Sequence, residues 1–213
     1  MSPRRYKLGR REPGVKKTRS LILTAARNLL KTKGRFPAFT LDAVAQQAGV
    51  ARMTLYYQFG SKSGLLEALY DSIVARGMNE DLTKILQKAD PLAGLLEFID
   101  AFVHLWSSDR RVIRRLHALA ALDSQMAKGL QSREAWRRQG LQVLLSRVRE
   151  RYGHPVAGKF TAAVEVVHML TSFETFDHLA GQTRSPREVG DTVKRLALAA
   201  VVLYGAEVGE EAA

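Results

Sequence analysis

The stretch TLDAVAQQAGVARMTLYYQFGSK, residues 40–62, decides how this sequence is interpreted. Val44, Val50 and Leu55 have the spacing expected of two short helices that bury these side chains and thereby fix the angle between them. Between them, Gly49 can take the positive φ of a tight turn, and Ala45 is small enough for the helices to cross closely. The pattern predicts a helix-turn-helix, whose second helix typically enters the major groove of DNA.

The predicted second helix, from about residue 51 to residue 57, presents polar side chains on the face opposite Leu55. An arginine on such a helix can donate two hydrogen bonds to the O6 and N7 acceptors of guanine, while threonine and methionine can contact the methyl group of thymine. The candidate base-contacting residues are Arg52, Met53, Thr54 and Tyr56.

The positive charge of the chain is concentrated in its first third. Residues 1–62 contain 14 Lys and Arg against two acids, Glu12 and Asp42, and therefore account for the whole net charge of +12. This asymmetry indicates an N-terminal module that binds a polyanion. Two alternatives are a solubilising basic tail and, for the helical pair itself, an ordinary hairpin that contacts no DNA.

The segment from Thr18 to Leu69 resembles the DNA-binding domain of the tetracycline-repressor (TetR) family. The matching residues are Thr40, Val44-Ala45, Ala48-Gly49-Val50 and above all Leu55-Tyr56-Tyr57-Gln58-Phe59, followed by Lys62 and Leu65-Leu66. The resemblance implies three N-terminal helices for DNA and a larger helical body that dimerises and binds a small-molecule inducer. It also implies base contacts by Arg52, Met53, Thr54 and Tyr56, and phosphate contacts by Thr40, Tyr57 and Lys62.

Two positions depart from the family pattern. Ala51 stands where a Ser or Thr that caps the recognition helix is common, so we expect this helix to lack a side-chain cap. Gln58 replaces the frequent His of the Tyr-Tyr-His-Phe run, which leaves its contact with a phosphate open.

The whole chain is expected to be helical, because no alternating β pattern of useful length occurs. Residues 1–17 are predicted to be a basic flexible arm, residues 18–62 the helix-turn-helix domain, and residues 63–213 a helical body for ligand binding and dimerisation. Thr18 is the expected N-cap of the first helix. Helices of the body are predicted near residues 64–78, 91–107, 110–122, 128–152, 156–180 and 186–205.

Aromatic and histidine side chains of the body are candidates for a ligand pocket, since cavities between the helices of a bundle are lined by such residues. The alternative for each of them is an ordinary place in the hydrophobic core. The candidates are Phe102, His104, Trp106, His117, Trp136, Phe173 and Phe176.

Two apolar stripes near the end of the sequence are candidates for a dimer interface, which would form a four-helix arrangement across a two-fold axis. The alternative is that both stripes pack within the monomer. The candidate interface residues are Val164, His168 and Thr171 in the first stripe, and Val193, Ala197, Ala200 and Tyr204 in the second.

Several classes of function are disfavoured by what the sequence lacks. The chain has no Cys, and its His residues have neither metal-ligand spacing nor carboxylate partners, so we expect no metal and no cofactor. A Gly-rich phosphate loop and a nucleophile motif are also absent, which argues against an enzyme. The longest uncharged apolar run, Leu196 to Ala206, is too short to span a membrane, and the N-terminus does not read as a secretory signal. We therefore expect a soluble cytoplasmic protein.

These observations together predict a homodimeric transcriptional regulator, most simply a repressor released from a palindromic DNA operator by a small molecule. The alternative function is that of an architectural DNA-binding protein, either independent of any ligand or controlled by a protein partner.

Overall fold

A computed structural model describes residues 12–32, 39–78 and 81–204, and all regular structure within these ranges is helical. The all-α prediction is therefore confirmed. The N-terminal helices are α1 (Glu12–Lys31), α2 (Leu41–Ala48), α3 (Arg52–Phe59) and α4 (Lys62–Gly77). They are followed by α5 (Leu82–Leu86), α6 (Pro91–Ser108), α7 (Arg110–Ala120), α8 (Ser124–Tyr152), a 3₁₀ turn (Ala157–Lys159), α9 (Phe160–Leu170), α10 (Phe173–Ala180) and α11 (Pro186–Leu203).

Helices α2 and α3 form the predicted helix-turn-helix. The hydroxyl of Thr40 caps α2 by accepting a hydrogen bond from the Ala43 N–H at 3.1 Å. Gly49 ends α2 with φ of +66° and ψ of +35°, the left-handed conformation that the sequence predicted for the turn. Val44 and Leu55 are both fully buried, as predicted, whereas Val50 in the turn is only partly buried.

Helix α1 starts earlier than predicted. It begins at Glu12 rather than after Thr18, so residues 12–17 are helical and only residues 1–11 of the predicted arm lie outside the described residues. Thr18 is not an N-cap, because its hydroxyl donates to the carbonyl of Gly14 one turn earlier inside the helix, at 2.9 Å. A proline in the first helical turn is compatible with this start, since its missing N–H would have no helical partner there.

The last third of the chain is more broken than the periodicity predicted. The prediction of a single helix over residues 156–180 is wrong, because a 3₁₀ turn, α9 and α10 occupy this segment. Ser172 caps α10, and its hydroxyl oxygen accepts a hydrogen bond from the Thr175 N–H at 3.1 Å. Helix α5 was missed. Helix α8 starts at Ser124 instead of 128, because the Asp123 carboxylate accepts the N–H groups of Gln125 and Met126 at 3.0 Å each.

The chain divides into two compact units. The N-terminal unit comprises residues 1–72 and 111–127, and the body unit comprises residues 73–110 and 128–213. Helix α7 is thus grouped almost entirely with helices α1, α2 and α3, although the sequence assigned it to the body. The functional boundary expected at residue 62 stays a prediction.

Each unit has its own hydrophobic core. The core of the N-terminal unit includes Ile22, Leu30, Val44, Leu55, Leu66, Leu69, Val112 and Leu116, and that of the body unit includes Leu95, Phe98, Phe102, Leu141, Leu145, Val164, Val193 and Ala197. Among the described residues, none of the helices is long and apolar enough to cross a membrane.

Candidate nucleic-acid interface

Helix α3 exposes the side chains that were predicted to contact DNA. Leu55 faces the core, whereas Arg52 and Met53 are exposed, Thr54 and Tyr56 are half-buried, and the side chain of Tyr57 is 86% exposed. Ala51 occupies the N-cap position with no side-chain cap, as predicted from the departure at this position. One face of a short helix thus offers a guanidinium, a thioether, a hydroxyl and two phenols to a partner.

Arg52 is held in place by two neighbours. Its Nη1 donates to both carboxylate oxygens of Asp42 on α2, at 3.1 and 2.9 Å, and its Nη2 donates to the Tyr56 hydroxyl at 3.2 Å. The hydrogen bond with Tyr56 and the charge of Asp42 raise the pKa of Arg52 above its ordinary value. Arg52 is therefore a permanently charged and oriented donor on the exposed face of α3.

Two further predicted phosphate contacts lie at the ends of helices. Thr40 is exposed at the N-terminus of α2, where its hydroxyl oxygen already accepts the Ala43 N–H and its proton can be donated to another acceptor. Lys62 is exposed in the first turn of α4, and its ammonium lies 5.7 Å from the centre of the Phe39 ring. Helix N-termini attract phosphate through their free N–H groups and their dipole.

The other end of α3 is fastened to α1 by a contact that was not predicted. The guanidinium of Arg19 donates to the backbone carbonyl of Gln58 at 3.0 Å and lies 4.4 Å from the centre of the Phe59 ring. A cation at the C-terminus of a helix complements its dipole. The Gln58 amide points back to the carbonyl of Val15 at 3.5 Å, a weak contact that places it toward α1. From the sequence, Arg19 contributed only to the net charge, and its contact with α3 was not predicted.

Helix α7 attaches to α1 through the backbone carbonyls of its last turn. Arg111 donates to the carbonyl of Lys31 at 3.1 Å and Arg115 donates to that of Leu30 at 2.8 Å, which satisfies the last turn of α1. At the other end of α7, the Asp123 carboxylate accepts from the Ser63 hydroxyl at 2.6 Å. That hydrogen bond keeps the pKa of Asp123 below its ordinary value.

Four of the predicted pocket residues come together in the core of the body unit. Phe102 contacts Trp106, and Trp106 contacts Phe173, with ring centres 5.7 Å apart in both pairs, while Phe176 lies nearby. Phe102, Trp106 and Phe176 border a gap of about 10 Å³, roughly the space of one water molecule. The cluster is a packed core in this conformation.

The other three predicted pocket residues lie elsewhere. His104 is exposed on α6, and the side chain of Trp136 is 51% exposed on α8. His117 belongs to the N-terminal unit, where its ring stacks on Tyr70 with the ring centres 6.2 Å apart. The structure does not bring these residues to the aromatic cluster.

Most of the predicted dimer residues are part of the monomer's own core. Five of them are buried, namely Val164, Thr171, Val193, Ala197 and Ala200, and two are partly exposed, namely His168 and Tyr204. The exposed apolar face lies one step around the same helices. There an open groove of about 500 Å³ runs between α9 and α11, lined by Lys159, Val166, Leu170, Leu196, Ala199, Ala200, Leu203 and Tyr204.

Comparison with known proteins places the N-terminal helices in a family. Residues 22–69, which contain the second half of α1, all of α2 and α3, and the first half of α4, match the family model described as bacterial regulatory proteins, tetR family. The N-terminal helices are therefore similar to those of the tetR family. This finding confirms the resemblance that was deduced from residues 18–69.

Two curated relatives also match part of the chain. The HTH-type transcriptional regulator EthR of Mycolicibacterium smegmatis is 33% identical over 88 residues, which cover 41% of this chain and 40% of EthR. AlkX of Mycobacterium tuberculosis, also an HTH-type transcriptional regulator, is 45% identical over 49 residues, which cover 23% of each chain. The matches thus span less than half the length of both curated relatives.

The fold is shared over a much larger part of the chain. The crystal structure of a TetR transcription regulator from Haloarcula marismortui superposes with a TM-score of 0.68 at 14% identity, covering 88% of this chain and 98% of that one. At this identity the likeness concerns the fold alone. The body unit therefore shares the helical architecture of that structure.

Proposed function

We propose that this protein is a DNA-binding transcriptional regulator that reads its operator with helix α3. The observation that carries this proposal is the exposed face of α3, where Arg52, Met53, Tyr56 and Tyr57 extend from a helix anchored by the buried Leu55. The net charge of the N-terminal 62 residues supplies the attraction to phosphate that DNA binding requires. A role on DNA also supports the expected location in the cytoplasm.

The regulator is proposed to act as a homodimer that joins through the groove between α9 and α11. Leu196, Ala199 and Leu203 follow one another at helical spacing, and the side chains of Leu196 and Leu203 are exposed apolar surface. A second copy of the same groove would bury both through a two-fold axis. Such a dimer presents two copies of α3 to a palindromic operator, about 34–36 Å apart.

The response to a small-molecule effector is proposed to involve the aromatic cluster of the body unit. A ligand of ordinary size needs a cavity of roughly 300–1,000 Å³, so the gap of about 10 Å³ beside Phe102 must open to admit one. An effector that prefers the opened body releases the operator only if that state holds DNA less tightly. Helices α4, α7 and α8 contribute residues to both units and are the covalent route for such a change.

One observation favours the second candidate function, a DNA-binding protein with no effector. The core of the body unit is filled by its own aromatic side chains, as expected of a body that serves for dimerisation alone. The two candidates differ in one measurable property. Only the effector-controlled regulator loses its operator when a library of small molecules is added.

Selection from a library of random double-stranded DNA tests the proposed function. We expect the purified protein to retain a small set of palindromic sequences with half-sites about one helical turn apart. Sequencing of the retained fraction measures this preference directly. Retention of all sequences alike would contradict a regulator and would favour the architectural alternative.

The variant Arg52→Ala is expected to lose the preference for one base pair in each half-site. An arginine that contacts guanine discriminates it from other bases by about 1–3 kcal/mol, or roughly 5- to 150-fold. Binding to unrelated DNA is expected to stay within a few-fold of wild type, because the other cations of the segment remain. Titration of matched and mismatched operators measures both quantities, and an unchanged preference would remove Arg52 from the list of base-reading residues.

A further inference from the structure

An acidic side chain stands on the surface that is proposed to face DNA. Asp42 and Glu12 are the two acids among residues 1–62, and the side chain of Asp42 is 65% exposed in the first turn of α2. A carboxylate in this place repels DNA phosphates unless a cation neutralises it. Its partner is Arg52, whose Nη1 lies 2.9 Å from the nearer carboxylate oxygen.

The fold gains little from this ion pair. The side chain of Arg52 is 54% exposed and that of Asp42 is 65% exposed, and pairs of this kind are screened by water and salt. Helix α2 already has its N-terminal cap in Thr40, and its helix-turn-helix contacts are made by the buried Val44 and Leu55. The place of Asp42 in the first turn of α2 suits the helix dipole, a small stabilisation that does not need Arg52 as a partner.

The hydrogen bonds of Arg52 leave it able to read a base. A guanidinium carries five donor hydrogens. Asp42 accepts two hydrogen bonds and Tyr56 accepts one, so that at least two donors remain. The O6 and N7 atoms of guanine accept two hydrogen bonds from an arginine, so two free donor hydrogens are enough.

We propose that Asp42 is a specificity-determining residue that acts through Arg52: its carboxylate holds the guanidinium in the orientation that reads guanine. This inference rests on the proposed function, because it presupposes that α3 contacts bases. The carboxylate binds one part of the guanidinium from α2 while Tyr56 binds another part from within α3, so both helices set its direction. A guanidinium oriented before it meets DNA loses less side-chain entropy on binding than a free one.

The test compares the base preferences of four variants with those of the wild-type protein by selection from random DNA. Arg52→Ala first identifies the position in the half-site that Arg52 reads. We expect Asp42→Asn to lose about tenfold of the guanine preference at that same position and to leave the other positions unchanged. Asp42→Glu, which keeps the charge, is expected to retain part of the preference, as a positioning role requires.

Asp71→Asn is the matched control. It lies on an exposed part of α4 and changes the net charge by the same amount, so it reproduces any general gain in DNA affinity without touching Arg52. We expect its base preferences to equal those of wild type. Thermal unfolding of each variant shows that the helices are intact.

The possible results distinguish a failure of the proposed function from a failure of the proposed role of Asp42. If the wild-type protein selects no sequence, the proposed function is wrong. If it selects a sequence and Asp42→Asn keeps the same guanine preference, the role of Asp42 alone is wrong. A stronger guanine preference in Asp42→Asn would also overturn that role, because it would mean that the carboxylate competes with the base for the guanidinium.

Discussion

Replacing Leu203 with Asp is expected to convert the proposed dimer into monomers and to weaken operator binding by about 100-fold or more. The side chain of Leu203 is 68% exposed on the groove between α9 and α11. In a two-fold interface the substitution places two carboxylates in an apolar contact, where each loses its hydration without gaining a partner. Binding of the second half-site then no longer benefits from the high effective concentration that the first provides.

Sedimentation and operator titration measure this effect on the same samples. Val143→Asp is the control, because it makes a similar apolar-to-acid change at another exposed position of the body unit. Ala200, one of the residues expected from the sequence to lie in the interface, is unsuitable for such a test since it is buried within the monomer. A dimer of wild-type strength in Leu203→Asp would show that the two copies join elsewhere or that the groove has another occupant.

Replacing Arg137 with Ala is expected to destabilise the protein by about 3 kcal/mol, which lowers the melting temperature by roughly 6–12 °C. The side chain of Arg137 is 1% exposed. Its Nη1 donates to the carbonyl of His168 at 2.6 Å and to the Thr171 hydroxyl at 2.5 Å, and its Nη2 pairs with the Glu134 carboxylate. Removal of the guanidinium leaves the C-terminus of α9 and a partly buried carboxylate without their cation.

Urea unfolding at neutral pH measures the loss, and the next residue supplies the control. Arg138 pairs with Glu165 at 3.0 Å, but both side chains are more than one third exposed. Arg138→Ala is therefore expected to change the free energy of unfolding by less than about 1 kcal/mol. Equal effects of the two substitutions would show that the buried network contributes no more than an ordinary surface pair.

The network around Arg137 and Glu134 makes the free energy of unfolding depend on pH in the acidic range. Burial raises the pKa of Glu134, but hydrogen bonds from His168 and Arg137 outweigh burial and hold it below its ordinary value. A carboxyl group whose pKa is lowered on folding contributes stability above its unfolded pKa and loses it as the pH falls through the folded one. The stabilisation of the folded state by Glu134 is thus present at neutral pH and is lost in acid.

The helix-turn-helix could be predicted from the sequence because its signals are local. Thr40 offers a capping hydroxyl, Gly49 permits the left-handed turn, and the spacing of Val44 and Leu55 defines which faces meet. Each of these choices depends on residues within a few positions, so tertiary contacts do not alter them. The residues proposed to touch DNA follow from the same pattern, because they lie on α3 away from the buried Leu55.

The body could be predicted only as helical, and the reasons are physical. Helix α11 has small or apolar residues around much of its circumference. Consecutive residues of a helix point about 100° apart, so either Leu196 or Ala197 can face the core, but not both. Periodicity does not distinguish the two, and in the structure Ala197 is the buried one. At the break between α9 and α10, the carbonyl and hydroxyl of Thr171 accept hydrogen bonds from Trp106 and Arg137, which lie in distant parts of the chain. Contacts over such separations leave no mark in a local window.

The eight residues of α3 include one buried side chain, that of Leu55. Substitutions at the remaining positions remove little packing, and surface changes of this kind usually alter stability by less than about 0.5 kcal/mol. The proposed operator preference can therefore change while the folded unit persists almost unaffected. On the proposed function, a duplicated gene encoding this chain can acquire a new set of target sites through a few codon changes in α3, while the body and its proposed dimer surface stay unchanged.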